Sequence, residues 1–300
     1  MMKKMMSLAA VLAAGTLLLL RPEAAAEAVR DGLSLCARTV IPSLFPFFVV
    51  VSLLLRLGLA DCLQGVCGPF MGPMFHLRGV CALPLLTGLL GGYPSGAKTA
   101  ADLYHQGRIT RREAELLLGF CDNCGPAFLL GYVGSGILGS SRAGAYLYLV
   151  HVCAALITGM ALCRLIRGRG PALLDCRLPA EAASLPQALT ASAAGAVTST
   201  LHICAFVVLF RVLAALAPAG LPAMGLGMLE MVTGIAALEP GRAGFIAAAA
   251  IVGWGGLSVH CQALSAAEGL SFRWHWAGKA AQGLLSAALA ALAAGVYGFL

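Results

Sequence analysis

Charge is scarce in this chain. Lys and Arg number 20 and Asp and Glu 13 among 300 residues, 11% of the total, where a soluble domain carries about 25%. That scarcity, with 60% hydrophobic residues and a mean hydropathy of +0.88, excludes an ordinary soluble fold. No polar stretch is long enough to hold a soluble domain; the longest joins two apolar halves. The motifs of the common catalytic classes are also missing. There is no Gly-x-Ser-x-Gly, no His-Glu-x-x-His, no P-loop and no pair of acids at a working spacing. Ser258 and His260, two residues apart, fall on different faces of a helix, so nothing assembles a nucleophile with a base. The sequence reads as a non-enzyme without a cofactor. Cys121-x-x-Cys124 lacks the second Cys/His pair that a zinc or redox site needs. The 11 cysteines lie mostly in or beside apolar runs, as small packing hydrophobes do. The net charge of +7 brings no nucleic-acid-binding pattern with it, because most of the cations sit in short loops, as the positive-inside rule distributes them.

What remains is a set of apolar runs long enough to span a bilayer, or nearly so, for which about 20 residues are needed. They fall at roughly 7–20, 39–59, 115–138, 143–163, 188–217, 243–264 and 279–300. Two shorter, interrupted runs fall at about 80–97 and 222–238. The expected architecture is an all-α polytopic membrane protein. Residues 1–34 form an N-terminal anchor, read as uncleaved, with an amphipathic interfacial segment. Residues 35–165 make a first half, 166–187 a cytoplasmic linker and 188–300 a second half.

The run 80–97 breaks at Gly91, Gly92, Pro94 and Gly96 and ends on Lys98. Backbone that leaves helical geometry inside a membrane must face protein or a watery cavity, and such segments point to the binding site of a transporter-like fold. Orientation follows from the cations. With Lys3 and Lys4 cytoplasmic and both interrupted runs re-entrant, the cytoplasmic loops hold Lys98, Arg108, Arg111, Arg112, the arginines at 164–177, Arg273 and Lys279. The other face keeps Arg21, Arg30, Arg38, Arg142 and Arg242. Motif order also repeats. Phe47–Arg56, Leu86-Thr87-Gly88 and Cys124-Gly125-Pro126 are followed by Phe206–Arg211, Val232-Thr233-Gly234 and Gly255-Gly256-Leu257. The halves run in opposite senses, which is an inverted-topology repeat whose re-entrant tips meet near the midplane.

Polar residues inside apolar runs are costly and mark function. In the first half these are Tyr93, Pro94, Ser95 and Gly96, whose turn frees N–H groups for an anion, and Lys98, which either touches the solute or pairs with Asp102. Asn123 and Gly125 follow, the latter beside Pro126, which frees a carbonyl. In the second half they are Thr233, Gly256, Ser258 and Gln262, the last two on one helix face. Asp122, Glu230 and His260 are the candidates for proton or ion coupling. His151 and His202 read as packing histidines.

Three stretches carry a family resemblance: IPSLFPFFVVVSLLL, LLGGYPSGAKTAADLYHQGRITRREAELLLGFCDNCGPAFLLGYVGSGILG and IVGWGGLSVHCQALS. They resemble the sporulation integral membrane proteins of the YlbJ type, within the wider nucleoside-recognition (Gate-domain) proteins related to concentrative nucleoside transporters. The resemblance implies a multi-pass inner-membrane carrier of an endospore-forming bacterium, in the cell or forespore membrane, moving dipicolinate toward the forespore. It also implies solute contacts at Tyr93–Gly96, Asn123–Pro126 and Gly255–Ser258. A nucleoside/proton symporter and a non-transporting scaffold of a sporulation complex are the alternatives. The expected partners are a small solute, the lipid bilayer, a second copy of the chain and other sporulation membrane proteins, with no nucleic acid.

Overall fold

The computed structural model describes residues 2–166, 184–218 and 220–297. The described residues are helical throughout, with no strand. The greater part of the linker expected at 166–187 lies outside them.

The chain opens with α1 (Met2–Leu20) and α2 (Pro22–Leu35). Pro22 suits the first turn of α2, where its missing N–H would have no helical partner. A π-helical stretch, Cys36–Val40, carries α2 into α3 (Ile41–Arg56). Gly58, with φ of 94°, turns the chain into α4 (Leu59–Phe75), a helix that holds Pro69 and Pro73 in its interior. The sequence reading left α4 as connection, because Gly and Pro read locally as breakers.

A helical hairpin follows, made of α5 (Ala82–Gly91) and α6 (Ser95–His105). Gly92 ends α5 at φ of 85°, a conformation that is costly with a Cβ. The arms are tied across: Ser95 Oγ donates to the Thr87 carbonyl (2.8 Å) and Thr87 Oγ1 to Thr99 Oγ1 (3.0 Å). The interrupted run is therefore longer than 80–97 suggested.

Helix α7 (Arg111–Leu117) starts with a capping box. Thr110 Oγ1 accepts from the Glu113 N–H (3.1 Å) and Glu113 returns the bond to the Thr110 N–H (2.8 Å), which satisfies two donors that the helix itself cannot. The run expected as one span at 115–138 is not continuous. It leaves α7 at Leu117, crosses a non-helical stretch and resumes as a π-helix at Phe128–Ile137. The cause is local, since Pro126 cannot donate within a helix and Gly119 and Gly125 favour none. Helix α8 (Ser141–Leu165) closes the first half, its Ala143 N–H capped by Ser140 Oγ (3.2 Å).

The second half begins with α9 (Leu185–Ala215), along which α2 and α3 pack. A second hairpin consists of α10 (Ala223–Leu229) and α11 (Met231–Ala236). A Cβ on Gly234 would overlap Gly227, so the arms touch backbone to backbone. Then come α12 (Arg242–Trp254), α13 (Gly256–Ala266) and α14 (Arg273–Tyr297). Gly255 and Gly256, with φ of 93° and 79°, interrupt the helix between α12 and α13.

Apart from α4, the two halves contain similar kinds of element. A helix (α3, α9), a hairpin (α5–α6, α10–α11), an interrupted segment (α7 through residue 137, α12–α13) and a long helix (α8, α14) follow in order. Among the described residues, four helices are long and apolar enough to cross a membrane: Ser141–Leu165, Leu185–Ala215, Arg242–Ala266 and Arg273–Gly295. A bent pair, Gly65–Phe75 with Gly79–Gly91, meets at 84° and makes a fifth if it is one span. Large apolar side chains such as Leu149, Leu201, Leu284 and Leu292 point outward on these helices, as lipid-facing residues must.

Candidate functional site

The two hairpin tips and the two interruptions converge. Tyr93, Cys124, Met231 and Val259, one from each, belong to a single buried cluster with Leu129, Leu147, Phe245 and Ile251. Glycine allows the approach. A Cβ on Gly88 or on Gly96 would overlap the Cys121 carbonyl oxygen, so the extended segment after α7 lies against both arms of the first hairpin. A Cβ on Gly92 would stand 3.1 Å from the Gly125 nitrogen, and one on Gly256 2.9 Å from the Gly227 oxygen and 3.0 Å from the Met231 nitrogen. Each hairpin tip therefore sits on the interruption of its own half.

At the centre is Lys279, on α14 and fully buried. Its ammonium donates to the Asp122 carbonyl (2.9 Å), to Gln282 Oε1 (2.9 Å) and to Tyr93 Oη (3.1 Å). A lysine has three N–H donors, and all three are used. Tyr93 in turn donates to the Val252 carbonyl of α12 (2.7 Å). Gln282 Nε2 donates to Asn123 Oδ1 (2.9 Å), and Asn123 Nδ2 to the Phe120 carbonyl (2.8 Å). From the other side, His151 of α8 accepts the Cys124 N–H at Nε2 (3.0 Å). The buried Asp122 carboxylate takes one long bond from the Ala97 N–H (3.4 Å), and its Oδ2 is unpartnered. Lys279 thus spends its bonds on neutral acceptors while facing a carboxylate that has few of its own. Losing either charge would strand the other in low dielectric.

The remaining sequence candidates fall in separate places. Tyr93 is clamped between Val252 and Lys279, with its ring 4.9 Å from the ammonium, so it is not an open stacking surface. Pro94 and Ser95 are buried at the tip, and the Ser95 hydroxyl also lies close to the Gly92 carbonyl. Lys98 pairs with Asp102 (3.0 Å) one turn along α6, away from Asp122. Glu230 caps α11, accepting the Val232 and Thr233 N–H groups (3.0 and 2.7 Å). Thr233 Oγ1 donates to Glu230 (2.7 Å) and accepts from Arg211 (2.9 Å). Gln262 donates to Ser258 Oγ (3.2 Å), the shared face that their spacing gives. His260 turns the other way, its Nδ1 2.8 Å from His275 Nε2, between Trp254 and Trp276. His275 Nδ1 reaches the Leu118 carbonyl (3.0 Å), so His260 and His275 are tied to the end of α7.

Lys279, Gln282, His275 and His151 were not among the sequence candidates, and the assignment of Lys279 to a cytoplasmic loop is corrected. Helix α14 starts six residues earlier, at Arg273, which puts Lys279 nearly two turns inside. The spacing of Lys279 and Gln282, i and i+3 on one face of an apolar helix, was the available signal. Glu113 lies apart from this centre, held by Arg78 through two bonds (2.9 and 2.6 Å). Burial pushes its carboxyl upward, but the bonds from Arg78 and Thr110 outweigh that and hold it below the ordinary value.

Residues 37–166, from the end of α2 through α8, match the family described as nucleoside recognition (Gate). The chain is 36% identical over 141 residues to the sporulation integral membrane protein YlbJ of Bacillus subtilis strain 168, across 47% of this chain. The match spans only about a third of that relative, 35% of its length. No solved structure matches. With its several apolar spans the chain is a multi-pass membrane protein, similar over residues 37–166 to the nucleoside-recognition (Gate) family and over 141 residues to that sporulation membrane protein.

Proposed function

We propose that the protein is a secondary-type carrier of a small organic solute, built as an inverted repeat whose two hairpins re-enter the membrane from opposite sides. One observation carries the reading. The first hairpin tip, the first interruption, α12 and α14 meet at a buried lysine, carboxylate and pair of amides, and the second hairpin tip packs into the adjoining apolar cluster. Ionisable groups this deep in an apolar helical bundle are expensive, and their usual reason is a solute or ion path. Interrupted helices meeting at the repeat interface are the transporter arrangement. A scaffold needs neither.

Asp122 is the carboxylate on which ion coupling would act, since its Oδ2 is unpartnered and a proton or cation arriving there changes the field at Lys279, which is bonded to the backbone carbonyl of the same residue. Dipicolinate is the first solute to test, on the resemblance to the sporulation proteins. A nucleoside is the second, on the description of the Gate family. Purified protein in proteoliposomes should accumulate labelled dipicolinate, and Asp122→Asn should alter the dependence of uptake on an imposed proton or sodium gradient. Wild-type vesicles that take up neither dipicolinate nor uridine under any gradient would sink the carrier reading.

A further inference from the structure

Two buried imidazoles stand outside the bonds of Lys279, and their own bonds fix where each ring proton sits. His275 Nδ1 faces the Leu118 carbonyl at 3.0 Å. A carbonyl only accepts, so Nδ1 carries the proton and a neutral His275 presents a bare Nε2. His260 Nδ1 stands 2.8 Å from that Nε2 and therefore donates to it. The neutral His260 ring then keeps its lone pair at Nε2, which is buried and has no partner. We infer that His260 Nε2 is a proton-binding site, and that His260 and His275 carry one added proton between them. The site is separate from Asp122 and stands apart from the carrier reading; its role in coupling rests on that reading.

A pair that served only to tie α13 to α14 would not leave this nitrogen bare, because burying an unsatisfied acceptor is costly. The proton balance closes within the pair. A proton from water binds the Nε2 lone pair and makes His260 an imidazolium. The central proton then passes from His260 Nδ1 to His275 Nε2, which moves the charge to α14 with no other bond changed. Both ends suit a cation. The His260 ring lies 4.3 Å from that of Trp254 and 4.6 Å from that of Trp276, centroid to centroid, within the reach of cation–π attraction. The Leu118 carbonyl holds His275 by a bond that charge strengthens.

Lys279 is a charge that both rings feel, one turn past His275 on the same face of α14. The ionisable groups on the other neighbouring elements are engaged elsewhere. Glu115 of α7 binds Arg111 and the Ser271 N–H, Lys98 of α6 binds Asp102, His202 of α9 meets Ser265 and Glu230 caps α11. Two neighbouring cations in low dielectric repel strongly. A proton on the pair therefore competes with the three bonds by which Lys279 holds the Asp122 carbonyl, Gln282 and Tyr93. Loading the pair loosens the first hairpin tip, and Trp254, next to Gly255, brings the same charge to the second interruption.

Nitrogen NMR of the full-length protein in nanodiscs, with ring-labelled histidine, tests the site. At about pH 8 the coupling across the N–H···N bond should identify one histidine pair, with both rings protonated at Nδ1 and one Nε2 bare. Acidification to about pH 5, across the range in which histidine changes charge, should protonate that Nε2. Lys279→Met, which removes the competing charge, should raise the proton affinity of the pair about tenfold or more. His260→Asn keeps an N–H toward His275 and removes the base, so the step should vanish while the His275 Nδ1 proton stays. An Nε2 already protonated at about pH 8, or still bare at about pH 5, would overturn the site, and the wild-type spectra alone decide this. An unchanged affinity in Lys279→Met would overturn the competition. Proteoliposome uptake tests the role, and His260→Asn should lose its response to an imposed proton gradient. A response that survives in that variant, or is missing from the wild type, overturns the coupling role and leaves the site. Protonation in nanodiscs without uptake of any solute overturns the carrier and leaves the site.

Discussion

The interruption at Cys121–Gly125 packs on the first hairpin and the one at Gly255–Gly256 on the second, yet different forces hold them. The first is long, and side chains from elsewhere satisfy it: Lys279 and Gln282 from α14, His151 from α8. The second is two glycines in left-handed conformation, and among the described residues no side chain bonds their backbone. Directional bonds to several elements fix a segment, because all must break together for it to move. A glycine pair resists little, since its other conformations cost almost nothing. The contrast makes the first interruption a tied wall of the buried centre and the second a looser one.

The largest expected effect comes from removing the tie. Lys279→Met should destabilise the protein in detergent, because three buried acceptors lose a charged donor, each such bond being worth about 1.5–3 kcal/mol. Adding Asp122→Asn should recover part of that loss, because the stranded carboxylate goes with it. If Lys279→Met melts with the wild type, the lysine does not hold the first interruption.

Next in size are the glycines. Gly96→Ala places a methyl on the Cys121 carbonyl, which has nowhere to go, and should cost about 1–3 kcal/mol or more by overpacking. Gly255→Ala meets the Val259 side chain at 3.3 Å, which must give by a few tenths of an ångström, and Tyr93 at 3.6 Å, so its main cost is the left-handed backbone, about 1–2 kcal/mol. Thermal unfolding of the two variants side by side measures the contrast, and a costlier Gly255→Ala would reverse it.

The sequence exposed these two walls unequally, for a physical reason. Gly125-Pro126 and Gly255-Gly256 were legible because a breaker acts within its own turn, and Asp122 and Asn123 because polar groups in apolar surroundings demand partners. Which partners they find is a property of the packing. Lys279 lies 157 residues from Asp122. Beside Arg273 at the edge of an apolar run, it read as a loop cation. Tyr93, expected at the tip as a solute contact, has its hydroxyl bonded to both α12 and α14, which a local reading has no means to see. Helix α4 was missed because its prolines and glycines outweighed its apolar residues in a local reading.

The smallest effect is a control outside both walls. The carboxyl of Glu113 is held below its ordinary value of 4.5. It therefore contributes stability at pH above that value, and the contribution is lost as pH falls through its lower folded value. Melting curves of the wild type should show this acid loss and those of Glu113→Gln should lack it, with exchange at both interruptions unchanged. An acid loss that survives in Glu113→Gln would place its origin elsewhere.

Amide hydrogen exchange in nanodiscs tests the contrast most directly, by comparing peptides over residues 119–126 with those over 252–259. The account predicts slow exchange in the first and faster exchange in the second, with Lys279→Met bringing the first up toward the second. A first interruption that exchanges as fast as the second in the wild type, or that ignores the loss of Lys279, would contradict it.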